Sequence, residues 1–410
     1  MKTSKIGAID IGTSKVCSLI AETDGTGLRV LGIGSVPSHG LQKGQVVNIA
    51  EARESVRASI RAAEKTAGFR MESALVTMAG RHVSSGNKRG VISITGNRKQ
   101  TVEQKDVERL LEITRSENIP PEETVLHQIP RYYRVDGQDG VKDPVGMFGY
   151  RLDVETHTIT ASVTSLENLV KCVIGAGVKI DNVVFEPLAS AAAVLTEDEK
   201  RDGVLLADIG GGSTNITVYK NDSVYYSSVI SVAGNQITRD ISLGLGLAPE
   251  LSEEIKVRYG SLVPLPQTEK PKPLIVEGEE IPYEDLFDII NIRTEELLRL
   301  VLLQVNNDTG GELDPAGSLP AGIVITGGTG NLPGLAEMAQ QVTHMPCRIG
   351  YPPRVSGIAD SISGPQYAAS FGLLLWKLET PEVFYRQKMN NRVFKNSGVL
   401  SRLIRLFGKN

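Results

Sequence analysis

Two stretches far apart along the chain place a carboxylate beside glycines and small hydroxyls: Ile6-Gly-Ala-Ile-Asp10-Ile-Gly12-Thr13-Ser14-Lys15 and Val204-Leu-Leu-Ala-Asp208-Ile-Gly210-Gly211-Gly212-Ser213-Thr214. In each, an apolar run reaches an aspartate, breaks at glycine and resumes as a strand, through Val16 to Ile20 and through Ile216, Val218 and Tyr219. The pattern reads as a hairpin whose tip is bare backbone. Glycine takes positive φ and admits close approach, so such a tip, with the donors of Thr13, Ser14, Lys15, Ser213 and Thr214, suits a phosphate group. A triple glycine suits a plain tight turn equally well. The second copy shifts the reading, because two matching tips imply two similar domains facing one ligand.

A third glycine turn, Gly327-Gly328-Thr329-Gly330, follows the apolar run Ala321 to Thr326 and precedes a helix expected from Pro333. Strand, glycine pair and helix in that order suit a nucleotide's sugar and base edge, or its phosphates. Between the first two tips, the strand Val183-Val-Phe185 hands over to a small-residue helix at Glu186-Pro187. A carboxylate there is favoured by the helix dipole whether or not it does chemistry. Glu253-Glu254-Ile-Lys256 reads most simply as a solvated helix face. The five histidines show no paired ligand spacing, and no nucleophile and base stand together.

Around these points the chain alternates strands and helices. A helix is expected over 51–67, stopped by Gly68, and a strand over 73–79. From His82 to Ser162 the texture changes to glycine-punctuated strands around one helix, opened by a capping box from Thr101 to Gln104, which reads as an inserted subdomain. A second box, Thr164 to Glu167, opens the helix that leads back to the main fold. After Tyr219 come helices around 235–242 and 249–259, a proline-rich stretch over 263–273 and a long helix over 283–307 with Leu286, Ile290, Leu297, Val301 and Val305 on its buried side.

With 410 residues the chain exceeds one comfortable core. Composition is that of an ordinary globular protein, with 40% hydrophobic and 22% charged residues. Three scattered cysteines fit a reducing compartment, and no signal peptide or membrane span is legible. The net charge is −4, yet from Thr380 onward seven basic residues face Glu382 alone. The acidic body argues against nucleic-acid binding. The basic end has its own pattern: on a helical wheel Val399, Leu400, Leu403, Ile404, Leu406 and Phe407 fill one arc of roughly 160°, with Arg402, Arg405 and Lys409 opposite. So short a helix needs a surface to hold it. A polar, basic linker over 380–398 separates it from the last packed segment, which suits an anionic bilayer interface.

In this order the segments resemble the actin, chaperone-ATPase and sugar-kinase superfamily: first phosphate loop, connecting helix, second phosphate loop, adenosine loop. The point of insertion is similar to that of the FtsA family of bacterial division proteins or of the pilus-assembly PilM family, and the basic amphipathic end favours FtsA. The resemblance implies an α/β actin-like ATPase fold. A first core (1–81 and 163–200) carries one insert (82–162), a second core (201–228 and 308–379) carries another (229–307), and a linker and a membrane-targeting helix (399–410) follow.

It also implies ATP and Mg²⁺ as ligands. Asp10 and Asp208 would hold the ion through water, and Gly12 to Lys15 and Gly210 to Thr214 would cradle phosphates. Gly327 to Thr329 and Lys256 would lie at the adenosine, with Glu186 aligning a water and hydrolysis slow at most. The partners implied are FtsZ through the second insert, further copies of the chain in filaments, other division proteins and anionic lipid, at the cytoplasmic side of the bacterial inner membrane. A PilM-like adaptor, or a small-molecule kinase, is the alternative.

Overall fold

The computed structural model describes residues 4–24, 27–94, 100–116, 119–264, 273–357 and 362–379. The expected linker over 380–398 and the amphipathic stretch over 399–410 lie outside the described residues. The first lobe opens with a meander, β1 (Ser4–Ile11), β2 (Lys15–Thr23) and β3 (Leu28–Pro37), followed by the short pair β4 (Leu41–Gln42) and β5 (Gln45–Val46). Helix α1 (Ile49–Ala67) starts where Asn48 accepts from the amides of Ala50 and Glu51, and it stops at Gly68 with φ of 78°. Strand β6 (Ser73–Met78) then joins β1 in parallel.

An insert leaves here as β7 (Val83–Ser93), α2 (Gln104–Ser116), β8 (Glu123–Val135), β9 (Gln138–Val141) and β10 (Arg151–Ser162). Its antiparallel sheet runs β7-β10-β8-β9 and closes a small core of its own, including Ile92, Leu110, Tyr133, Leu152 and Val154. The chain returns through α3 (Val163–Ala176) to β11 (Lys179–Phe185), which extends the first sheet, and α4 (Glu186–Val194) begins at once.

After α5 (Glu197–Asp202) the second lobe repeats the plan: the meander β12 (Val204–Ile209), β13 (Thr214–Lys220) and β14 (Ser223–Ile230). Helices α6 (Gly234–Leu245) and α7 (Pro249–Tyr259), hairpin β15 (Leu274–Val276) and β16 (Glu279–Ile281), α8 (Tyr283–Asp308) and α9 (Pro315–Ser318) intervene. Then β17 (Ile323–Thr326), α10 (Leu335–Thr343) and β18 (Cys347–Ile349) complete the sheet. The second sheet reads β14-β13-β12-β17-β18, and the first reads β3-β2-β1-β6-β11 with the two-residue β19 (Ser356–Gly357) beyond β3. Both are an antiparallel meander extended by two parallel strands beyond its first strand, which is the repeat the two tips imply.

Three expectations change. Thr101 forms an isolated bridge to Phe148, and Asp106 accepts from the amide of Glu103, so no Thr101 box opens α2. Helix α3 is capped by Ser162, which accepts from the amide of Ser165, two residues earlier than the expected box. The last described helix, α11 (Ala368–Glu379), packs on β1, β6 and α4 of the first lobe, not with the second core that precedes it in sequence. Its Phe371 and Leu374 are buried in the core cluster that holds the apolar residues of β1, β6 and α4.

The insert also touches the second lobe. Ser85 Oγ donates to the carbonyl of Ser227 at 2.6 Å, Asn87 Nδ2 to that of Tyr225 at 3.2 Å, and Arg131 stacks 4.3 Å from the Tyr225 ring. Lys142 pairs with Asp222. His157 lies 2.8 Å from Asn87 Oδ1 and 2.8 Å from Ser227 Oγ. An amide oxygen only accepts, so Nδ1 carries the proton and Nε2 takes the serine's. Burial and the nearby Arg131 push this histidine down to about 3, so it is neutral at ordinary pH.

Where α4 and α11 cross, a Cβ on Gly372 would stand 1.7 Å from the carbonyl oxygen of Ala189. No side chain fits, and the alanines of both helices let them approach. Gly372→Val is therefore expected to cost about 1–3 kcal/mol or more through overpacking, read as a lower midpoint in denaturant unfolding. An unchanged midpoint would mean the crossing is not as tight as drawn.

Candidate functional site

Each aspartate sits near the end of the first strand of its meander, Asp10 on β1 and Asp208 on β12, one residue before its turn. The turns are built alike: Gly12 N donates to Lys15 O at 3.0 Å, and Gly210 N to Ser213 O at 3.1 Å. The tips face each other across the lobes in contact. A Cβ on Gly211 would fall 2.0 Å from Ser14 Oγ, and one on Gly212 would fall 2.6 Å from Thr13 Oγ1, so only glycine permits this approach. The third turn closes on the second aspartate: Gly327, with φ of 85°, would carry a Cβ 2.4 Å from Asp208 Oδ1. Asp10, Gly12 to Lys15, Glu186, Asp208, Gly210 to Ser213, Gly327 and Gly328 all line one cavity.

Three of the expected residues stand behind that wall. Thr214 is buried and donates to the carbonyl of Val232, because strand pairing turns it away from the tip. Thr329 Oγ1 donates to the carbonyl of Gly210 at 3.3 Å and so braces the second tip. Lys256 Nζ is bound to Glu253, Thr238 and the carbonyl of Gly234, beside which Gly234 N donates to Gly210 O.

Other lining residues carry no motif: Gly44, whose amide donates to Thr13 Oγ1, Pro365 and Gln366 in the 3₁₀ turn before α11, and Ala369 in its first turn. Lys15 Nζ donates to the carbonyl of Gln366 and stands 4.1 Å from the Tyr367 ring.

The carboxylates are crowded. Asp10 is 5% and Asp208 3% exposed. Burial raises the Glu186 carboxyl well above its ordinary range, and the negative charges of Asp208 and Asp10 raise it further, while Lys15 and a hydrogen bond from the Asn215 side chain oppose this. Burial likewise lifts Asp208 to about 6, against the pull of a hydrogen bond from Ser190. Hydroxyls hold the pair: Thr77 Oγ1 donates to Asp10 Oδ1 at 2.9 Å, Ser370 Oγ to Asp10 Oδ2 at 2.8 Å, and Ser190 Oγ to Asp208 Oδ2.

A cleft in which neighbouring negative charges raise the Glu186 and Asp208 carboxyls is suited to a cation. Among the described residues no carboxylate, imidazole or thiolate cluster closes directly round an ion. A hard divalent ion keeps most of its waters and shares its coordination with phosphate, so it would not need such a cluster.

Comparison with known proteins bears on the whole chain. One family model, the SHS2 domain inserted in FtsA, matches residues 80–160, and another, cell division protein FtsA, matches residues 205–372. Cell division protein FtsA of Pseudomonas aeruginosa is 38% identical over 385 residues, spanning 91% of this chain and 89% of its own length. That of Escherichia coli is 36% identical over 384 residues, spanning 91% and 90%.

Among solved structures, the PilM-PilN type IV pilus biogenesis complex superposes with a TM-score of 0.66 at 17% identity over 92% of this chain and 99% of that one. MreB5 of Spiroplasma citri bound to ADP gives 0.53 at 15% identity, over 91% and 96%. At such identities these likenesses speak for the fold alone. The chain has the actin-like ATPase fold and belongs to the cell division protein FtsA family.

Proposed function

We propose that this chain binds ATP with Mg²⁺ between its lobes, assembles with further copies of itself, and tethers FtsZ to the cytoplasmic face of the bacterial membrane. The observation that carries the nucleotide reading is the meeting of two like-built glycine tips, each beside its own aspartate, over one cavity shared with Gly327 and Gly328. The relatives are cell division proteins, and the matched structure of MreB5 holds ADP.

The roles follow from the donors present. The amides of Gly12 and Gly210 close the turns, so the other backbone amides of the two tips would bind phosphate oxygens, and Lys15 would add a cation. Asp10 and Asp208 orient a hydrated Mg²⁺, which supplies charge neutralisation at the phosphates. Glu186, fixed at the first residue of α4, would align a water for attack on the terminal phosphate. The nucleotide acts as a ligand that sets the lobe angle, with slow turnover.

The tether rests on sequence. The apolar arc of Val399 to Phe407, with Arg402, Arg405 and Lys409 opposite, forms an interfacial helix on anionic lipid. FtsZ docks on the second insert, α6 to α8, and other division proteins join the assembly. Likeness of fold alone stands behind the PilM-like alternative, and the kinase alternative rests on the sequence resemblance.

Two outcomes are expected. Asp208→Asn lowers Mg²⁺-dependent binding of a fluorescent ATP analogue by at least roughly tenfold, and equal binding by variant and parent would end the metal role. Binding also depends on pH. The native chain without ligand holds a proton at Asp208 up to about 6, against 3.8 when unfolded, so its stability falls as pH rises through that window. Magnesium nucleotide competes with that proton, so its affinity rises with pH through about 6 and then levels. A flat titration would contradict the shared site.

For the tether, deleting 399–410 abolishes co-sedimentation with anionic liposomes and with FtsZ on them. Undiminished sedimentation of the truncated chain would refute it.

A further inference from the structure

The two aspartates are each held by a serine from one of the two crossing helices, α4 and α11. Ser190 lies on α4 and Ser370 on α11, and both are fully buried. Ser370 Oγ donates to Asp10 Oδ2 at 2.8 Å, and Ser190 Oγ donates to Asp208 Oδ2. Both serines stand close to the crossing, Ser190 next to Ala189 and Ser370 two residues before Gly372, where the backbones meet too closely for a Cβ. Elsewhere in these helices the small positions are alanine, which fills the same space. A hydroxyl is therefore not required for packing at either place.

Geometry sets what the hydroxyls do. A carboxylate turns about its Cβ–Cγ bond through a broad, soft range, and a donor on one oxygen fixes that angle. On Asp10, Thr77 and Ser370 take one oxygen each, so its plane is fixed on both sides. Asp208 is fixed by Ser190 on Oδ2, and its Oδ1 lies against Gly327, where no side chain intervenes. Both carboxylates line the cavity, and each bonded oxygen keeps a lone pair beyond the one its hydroxyl takes.

We propose that Ser190 and Ser370 are positioning residues that hold Asp208 and Asp10 in the orientation a hydrated divalent cation requires, and that they tie this orientation to the crossing of α4 and α11. The inference rests on the reading of the cavity as a magnesium-nucleotide site and names residues for which no sequence motif speaks. Because Ser190 stands on a helix packed with the first lobe and holds Asp208 of the second, a shift of one lobe against the other moves that carboxylate, so cation affinity and lobe angle are coupled reciprocally.

The test uses the full chain and a fluorescent ATP analogue, titrated with Mg²⁺ and, separately, in excess chelator. Ser370→Ala and Ser190→Ala are each expected to raise the Mg²⁺ midpoint about tenfold, with affinity in chelator changed by less than about twofold. Ser370→Thr, which keeps the hydroxyl, restores the midpoint. Ser59→Ala is the control: its hydroxyl is equally buried, bonded to Ser18 and the Gly34 carbonyl away from the cavity, and its loss lowers the melting temperature alone.

An unchanged midpoint in both alanine variants overturns the proposal, and so does a parallel loss of affinity with and without Mg²⁺, which marks a purely structural role. Should one variant fail to fold, the other and the threonine variant still decide. A parent chain that binds no analogue at any Mg²⁺ concentration fails earlier, at the nucleotide reading, and removes the positioning role with it.

Discussion

Three carboxylates share one buried space, and the rest of the molecule is arranged to make that tolerable. Asp10 and Asp208 come from equivalent strand ends and Glu186 from a helix start, so the backbone leaves no freedom to separate them. Their mutual repulsion is met by donors from several distant segments: Thr77 on β6, Ser190 on α4, Ser370 on α11 and the ammonium of Lys15 on β2. The N-terminus of α4 adds its own partial positive charge at Glu186. Bringing these donors together needs helices that approach almost backbone to backbone, which explains why Glu186 to Val194 and Ala368 to Gly372 are so rich in alanine and glycine.

What could be read from the chain beforehand divides along the same line. The glycine tips were legible because their meaning is local: an aspartate, a turn and a resumed strand lie within ten residues, and only bare backbone allows Gly211 and Gly212 to meet Ser14 and Thr13. Glu186 was legible because Pro187 marks a helix start beside it. The serines were not. Ser190 and Ser370 look like any small residue in a helix, and their partners are 18 and 360 positions away.

Helix α11 was placed with the second core because it follows that core in sequence, but its packing on β1, β6 and α4 takes it back to the first. Thr214, Thr329 and Lys256 were drawn in by adjacency to the right loops. Pleat alternation and prior hydrogen bonds hold them one layer out.

The insert is more than an appendage. It is rooted in the first lobe at His82 and Ser162, where Ser162 N donates to His82 O, and bonded to the second through Ser85, Asn87, His157 and Lys142. One attachment is covalent and the other is a set of polar contacts. A force applied to this outrigger is shared between both lobes until the polar side gives way, and that side resists mild acidification because its histidine is already neutral. Slippage of the joint, rather than unfolding of the sheet, is thus the first response to a load.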